Sequence, residues 1–252
     1  MSSQPTGKTD FESNQKTSRT RYDKYALPCV AEFFGTALFV FTGCASVIEN
    51  CSGVGRLQPA LAHGVALSIS VAITAGVSGG HMNPAVTLGV TLAGGLDIIL
   101  LVPYWAAQFC GALVGAGLAK AVSSHEHFVN ASGGAFSSIA DNGQVGRAVV
   151  AEIVMTFYLV LTVCMSAINR QSRTSLAPFC IGLTVSVGIL GAGGVSGGCL
   201  NPARALGPAV VANYWAYHWV YWVGPLVAAV LVGIVLRTLL GDPKIRLTFR
   251  KP

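Results

Sequence analysis

Long apolar stretches dominate the chain, separated by short polar or glycine-rich breaks. Six of them approach the roughly 20 residues that a helix needs to cross a hydrocarbon core. They lie at about 27–48, 59–77, 98–119, 145–168, 177–191 and 215–239. The fifth is short, and looser ends at Ser175 and Ala192 extend it. The first 26 residues are polar and carry no apolar run. No cleavable signal is therefore visible, and the first stretch is expected to direct insertion itself.

Two of the breaks are near copies. Ser78-Gly79-Gly80-His81-Met82-Asn83-Pro84-Ala85 returns 118 positions later as Ser196-Gly197-Gly198-Cys199-Leu200-Asn201-Pro202-Ala203. Asn is a favoured N-cap, and Pro suits the first helical position, where its missing N–H costs nothing. Each copy thus starts a short helix inside an apolar region. One Asn-Pro-Ala is an ordinary helix start. Two in equivalent places point to a central site in a repeat-built channel or transporter.

The repeat reaches further. Ala31-Glu32 opens the first half and Ala151-Glu152 the second, 51 and 49 residues ahead of Asn83 and Asn201. Each half holds three spans with the interrupted segment between its second and third. Three is odd, so the halves enter the membrane from opposite sides, and the two short helices dip in from opposite faces. The expected architecture is all-α, six transmembrane helices plus two re-entrant half-helices in an inverted repeat. The channel unit covers about 27–240, with halves near 27–120 and 145–240. A polar tail (1–26) and a basic tail (241–252) flank it.

Composition agrees: 52% of residues are apolar and 10% charged, with a mean hydropathy of +0.60, against about 25% charged in soluble domains. The net charge of +6 is a topology signal, not a sign of nucleic-acid binding. Lys8, Lys16, Arg19, Arg21, Lys24, Arg170, Arg173, Lys244, Arg246, Arg250 and Lys251 fall on one side when six spans are threaded. The other side holds little beyond Arg56, Lys120 and Arg147. By the positive-inside rule both termini are cytoplasmic. The sequons at Asn50 and Asn130 both land on outer loops, in agreement with that orientation. Seven scattered cysteines show neither a disulfide framework nor a zinc-site spacing. No metal or cofactor is implied.

Glu32 and Glu152 are acids within apolar spans. They serve either as proton-relay carboxylates or as fixed acceptors for the backbone N–H groups of the re-entrant loops. Their symmetric placement favours the second role, because buried polar groups must be paired. A proton- or ion-coupled secondary transporter using these acids is the alternative to a channel. An enzyme is disfavoured: Gly191-Ala192-Gly193-Gly194-Val195-Ser196 fails the dinucleotide-loop pattern, and no nucleophile–base arrangement is evident.

With the paired Asn-Pro-Ala boxes, the Ala-Glu openings and Arg204 after the second box, the chain resembles the aquaporin, or major intrinsic protein, family. Stretches such as Ser46-Val47-Ile48-Glu49-Asn50, Leu57-Gln58-Pro59-Ala60-Leu61-Ala62-His63-Gly64 and Val195-Ser196-Gly197-Gly198-Cys199 resemble its aquaporin-8 branch. The resemblance implies a passive channel for water, excluding protons and ions, assembled as a homotetramer in the bilayer. It places Asn83, Pro84, Ala85, Asn201, Pro202 and Ala203 at the pore centre, and His63, Ile189, Gly198 and Arg204 in the selectivity filter. A strict water channel usually has an aromatic and a second histidine where His63 and Ile189 stand. The wider opening suits ammonia and hydrogen peroxide as well as water, with His63 offering both a donor and an acceptor. Ammonium would have to shed its proton at the mouth, and His125 and His127 on the long outer loop are candidates to help. Glycerol is disfavoured by Ala205, where glycerol facilitators carry Asp. Cys199 is expected near the lumen as the mercurial-sensitive thiol. The acids Asp10 and Glu12 argue modestly against a mitochondrial transit peptide, so the plasma membrane is the preferred location and an intracellular membrane the alternative.

Overall fold

A computed structural model of the chain describes residues 20–50, 53, 55–242, 246 and 247. Lys8, Asp10, Glu12, Lys16, Arg19, Cys51, Ser52, Lys244, Arg250 and Lys251 lie outside the described residues. The elements are α1 (Leu27–Glu49), α2 (Leu57–Ser78), α3 (Pro84–Leu92), α4 (Leu101–Val122), α5 (His125–Asn130), α6 (Asn142–Val163), α7 (Ala177–Ala192), α8 (Pro202–Ala212) and α9 (Val220–Val235). Wider π-type turns precede α1 (Tyr22–Ala26) and prolong α6 (Cys164–Ile168) and α9 (Leu236–Leu240).

With those turns, α1, α2, α4, α6 and α9 are long and apolar enough to cross a membrane, and α7 is a shorter sixth. The helix boundaries differ from the hydropathy pattern in two places. Helical backbone begins at Tyr22, ahead of residue 27, because Thr20 and Asp23 cap it reciprocally: Thr20 Oγ1 donates to Asp23 Oδ2 (2.7 Å) and Asp23 N to Thr20 Oγ1 (3.2 Å). The last span begins at Val220, not 215. Tyr217 (φ 49°) lies within turns over residues 216–219, and the aromatic side chains of Trp215, Tyr217 and Trp219 mimic a helical apolar run.

The six long helices pack as α4–α1–α2–α7–α6–α9, while α3 contacts α4, α6 and α9, and α8 contacts α1, α4 and α9. The packing follows the repeat. Where α2 meets α7, a Cβ on Gly64 would collide with Ser186 Oγ and one on Gly182 with Ser68 Oγ. Both Gly–Gly and Ser–Ser pairs are 118 residues apart, so the two halves interlock through matching small residues. Ser186 Oγ then donates to Ala60 O at 2.9 Å, satisfying the hydroxyl within the contact. Outside, the apolar residues face away from the bundle. Leu57, Leu61, Val65, Ile69, Ile73 and Val77, at four-residue steps along α2, are all exposed. That stripe suits hydrocarbon and not water.

Candidate functional site

The site is built where α3 and α8 begin, nose to nose. Asn83 has extended backbone (φ −155°, ψ 121°), and its Oδ1 accepts from Ala85 N at 2.8 Å. Asn201 (φ −151°, ψ 109°) accepts from Ala203 N at 2.9 Å and Arg204 N at 3.2 Å. Pro84 and Pro202 occupy the first helical positions. Each Asn then reaches across the junction. Asn83 Nδ2 donates to Leu200 O (2.8 Å), and Asn201 Nδ2 donates to Met82 O (2.9 Å). An amide nitrogen carries two hydrogens, so one of each pair remains for the cavity that both residues line. Ala85 and Ala203 are fully buried behind them.

The loops that deliver the Asn residues are matched in conformation. Gly79 and Gly197 have φ of 92° and 93°, Gly80 and Gly198 of 69° and 68°, and Met82 and Leu200 of 48° and 60°. This left-handed backbone is natural for glycine and costly for other residues. It turns successive N–H groups inward, where the acids receive them. Glu32 accepts from Ser78 Oγ (2.6 Å), His81 N (2.8 Å), Met82 N (2.6 Å) and Gln108 Nε2 (2.7 Å). Glu152 accepts from Ser196 Oγ (2.7 Å), Cys199 N (2.8 Å) and Leu200 N (2.7 Å). Every partner is a donor, so each group is arranged to act as a carboxylate. Tyr104 and Tyr221 close the brackets by donating to Ser78 O (2.9 Å) and Ser196 O (2.8 Å). Sequence reasoning singled out neither tyrosine and neither serine of these brackets, although the serines lie in the repeated segment and the tyrosines 117 residues apart.

A cavity of about 190 Å³ runs along this junction, lined by His81, Asn83 and Asn201 and, further toward the face opposite the termini, by His63, Ile189, Gly198 and Arg204. The four expected filter residues are thus brought together. Arg204 is 1% exposed, its Nε donates to His63 Nε2 at 3.0 Å, and its Nη1 has no hydrogen-bond partner. His63 Nδ1 lies 2.6 Å from Pro59 O. The carbonyl requires Nδ1 to carry the proton, which leaves Nε2 as the acceptor for Arg204. Both ring nitrogens are therefore engaged. This corrects the expectation that His63 offers a donor and an acceptor to solutes: it orients Arg204 instead. At Gly198 a Cβ would stand 2.9 Å from Ile189 Cα, so bare backbone forms that wall. Phe136, on the connection between α5 and α6, lays its ring over the guanidinium, 4.7 Å from ring centre to Cζ, and lines the same cavity. No sequence motif marked it.

Other expectations fare differently. Cys199 lines the cavity but is 4% exposed, and its Sγ is turned to Asn201 O at 3.1 Å. His125 is exposed, and His127 pairs with Glu49 at 3.9 Å; neither lines the cavity. Asn130 is exposed at the end of α5, whereas Asn50 Nδ2 is tied to Gly55 O at 2.7 Å. Among the described residues no His/Cys/Asp/Glu cluster could hold a metal ion.

Comparison with known proteins converges on the same scaffold. The model of the family described as major intrinsic protein matches residues 20–236. Aquaporin-8 of Rattus norvegicus is 55% identical over 229 residues, covering 91% of this chain and 87% of its own. Aquaporin TIP2-1 of Zea mays is 42% identical over 222 residues, covering 82% and 84%. The X-ray structure of the aquaglyceroporin from Plasmodium falciparum superposes with a TM-score of 0.73 at 23% identity, covering 88% of this chain and 98% of that one. At that identity the likeness speaks for the fold alone. With a family model spanning most of its length and relatives above 50% identity, the chain belongs to the major intrinsic protein family and is aquaporin-8-like.

Proposed function

We propose that the protein is a passive channel for water and for small neutral solutes of similar size, ammonia and hydrogen peroxide, and that it excludes protons and ions. The reading rests on one observation: two capped helix starts meet in a lined cavity, each Asn bonded to the other loop's carbonyl. Each helix N-terminus carries about half a positive elementary charge. A water at the junction offers its oxygen to the remaining amide hydrogens and turns its own hydrogens away, which interrupts a proton wire. The field repels cations, as in the selectivity mechanism known for aquaporin-type pores. Arg204 adds a full charge, with the unpartnered Nη1 as its free donor. His63 and Phe136 hold the guanidinium from its Nε and from one face. The apolar Ile189 and bare Gly198 leave room that larger side chains would fill, in favour of ammonia and peroxide. Glu32 and Glu152 act as fixed acceptors that shape the loops, as their all-donor surroundings suggest.

In this reading residues 27–240 form the channel unit between polar and basic tails. The basic residues near the termini support cytoplasmic ends, the plasma membrane is the proposed location, and the family supports a homotetramer with one pore per subunit. Stopped-flow measurement on dye-loaded proteoliposomes tests the solute range. Under an ammonia gradient, wild type should alkalinise the interior faster than empty vesicles do, and His63→Phe should slow it by releasing Arg204 into the opening. Water-driven swelling without excess ammonia flux would restrict the channel to water.

A further inference from the structure

The cavity that passes Arg204 has a second cation nearer its mouth. Arg56, just before α2, is exposed and lines the same cavity. Its side chain lies across the turn that follows α7. A Cβ on Gly193 would stand 3.0 Å from Arg56 Cδ, and one on Gly194 3.2–3.3 Å from the guanidinium atoms. Gly193 has ordinary right-handed backbone (φ −61°), and a Cβ there would meet the Ile189 carbonyl oxygen before it met the arginine, so the arginine packs over a turn that its own helix already keeps bare. Among the described residues the Arg56 side chain makes no hydrogen bond or ion pair. Among the described residues, Arg56 and Arg204 are the Lys, Arg, Asp or Glu side chains that line the cavity.

We propose that Arg56 is a specificity-determining residue: an outer cationic collar, in series with Arg204, that turns back cations at the mouth and concentrates small anions there. The proposal rests on the channel reading, and adds to it that charge selection begins in the vestibule, before the filter. Arg204 supports this as the inner charge, buried and with one nitrogen unpartnered, and among the described residues no carboxylate lines the cavity between the two. Neutral water, ammonia and peroxide pass such a collar unaffected, whereas ammonium is depleted. In a wet vestibule, one charge acting over about 6 Å changes the local concentration of a monovalent ion roughly threefold. For a cation and an anion compared with each other the ratio changes roughly tenfold, and salt reduces it because the screening length falls to about 3 Å at 1 M.

Exposed Ser137 lines the same mouth and serves as a reporter position. In Ser137→Cys protein reconstituted in liposomes, the rates of labelling by a negatively and a positively charged methanethiosulfonate are read by mass on the peptide containing residue 137. The negative reagent should be favoured, and the preference should fall about tenfold with Arg56→Ala, persist with Arg56→Lys and shrink in 1 M salt. An unchanged preference in Arg56→Ala, with the reporter still reactive, would overturn the proposal. Water flux of the same preparation is measured separately. Its absence would count against the channel reading and leave the charge ratio standing on its own.

Discussion

Replacing Glu152 by Gln removes one acceptor oxygen from the bracket behind the second re-entrant loop. Glu152 Oε1 receives Ser196 Oγ and Cys199 N, and Oε2 receives Leu200 N. The best placement of the Gln amide keeps its oxygen on the first pair and sets its NH2 against Leu200 N. A hydrogen bond to a charged group contributes about 1.5–3 kcal/mol, and leaving a buried N–H unpaired costs about 1–3 kcal/mol. The two surviving bonds lose their charge assistance, roughly half their strength. The loss totals about 4 kcal/mol. At roughly 2–4 °C per kcal/mol for a chain of this size, the thermal midpoint in detergent should fall by about 10 °C. Water flux per folded protein should fall too, because Leu200 O is the acceptor for Asn83. A proton-relay carboxylate behaves differently: its amide variant folds normally and loses only flux driven by a proton gradient. A wild-type midpoint for Glu152→Gln, together with proton-coupled flux in the parent, would refute the acceptor role and revive the coupled transporter.

Two more tests address packing and access. Gly64→Ala should prevent stable folding, because its Cβ runs into Ser186 Oγ and stands 2.6 Å from the Gly182 carbonyl oxygen; Gly64→Ala/Ser186→Ala relieves only the first contact and should still fail to give monodisperse protein in size-exclusion chromatography. Mercurials should block water flux by reaching Cys199, and Cys199→Ser should resist them in the swelling assay. Persistent block would assign the sensitive thiol to another cysteine, buried Cys44 included.

What the sequence made legible was what its duplication repeats. The spans, the two Asn-Pro starts and the paired acids could all be read from spacing, because a helix start and a buried charge have local signatures. Phe136 could not. It sits on an irregular connection whose course over Arg204 depends on packing among α1, α8 and the loop itself. The engagement of His63 was hidden for a different reason. Its i−4 carbonyl, Pro59 O, lies in the same helix and was available to inspection, but the choice of tautomer needed Arg204, 141 residues away. The start of the sixth span misled because Trp215, Tyr217 and Trp219 count as apolar while their backbone turns. Aromatic residues of this kind suit the membrane boundary as well as its core.

The crossed Asn–carbonyl bonds also set a timetable for biosynthesis. Asn83 cannot complete its hydrogen bonds until Leu200 exists, 117 residues further along the chain. At about 5–20 residues per second, the first re-entrant loop waits about 6–23 s on the ribosome for its partner. Meanwhile Met82 O has no amide to receive. A newborn first half therefore sits in the membrane with polar backbone at mid-depth, sheltered by water, by the translocation machinery or by a chaperone, and a chain truncated between the halves carries that defect permanently.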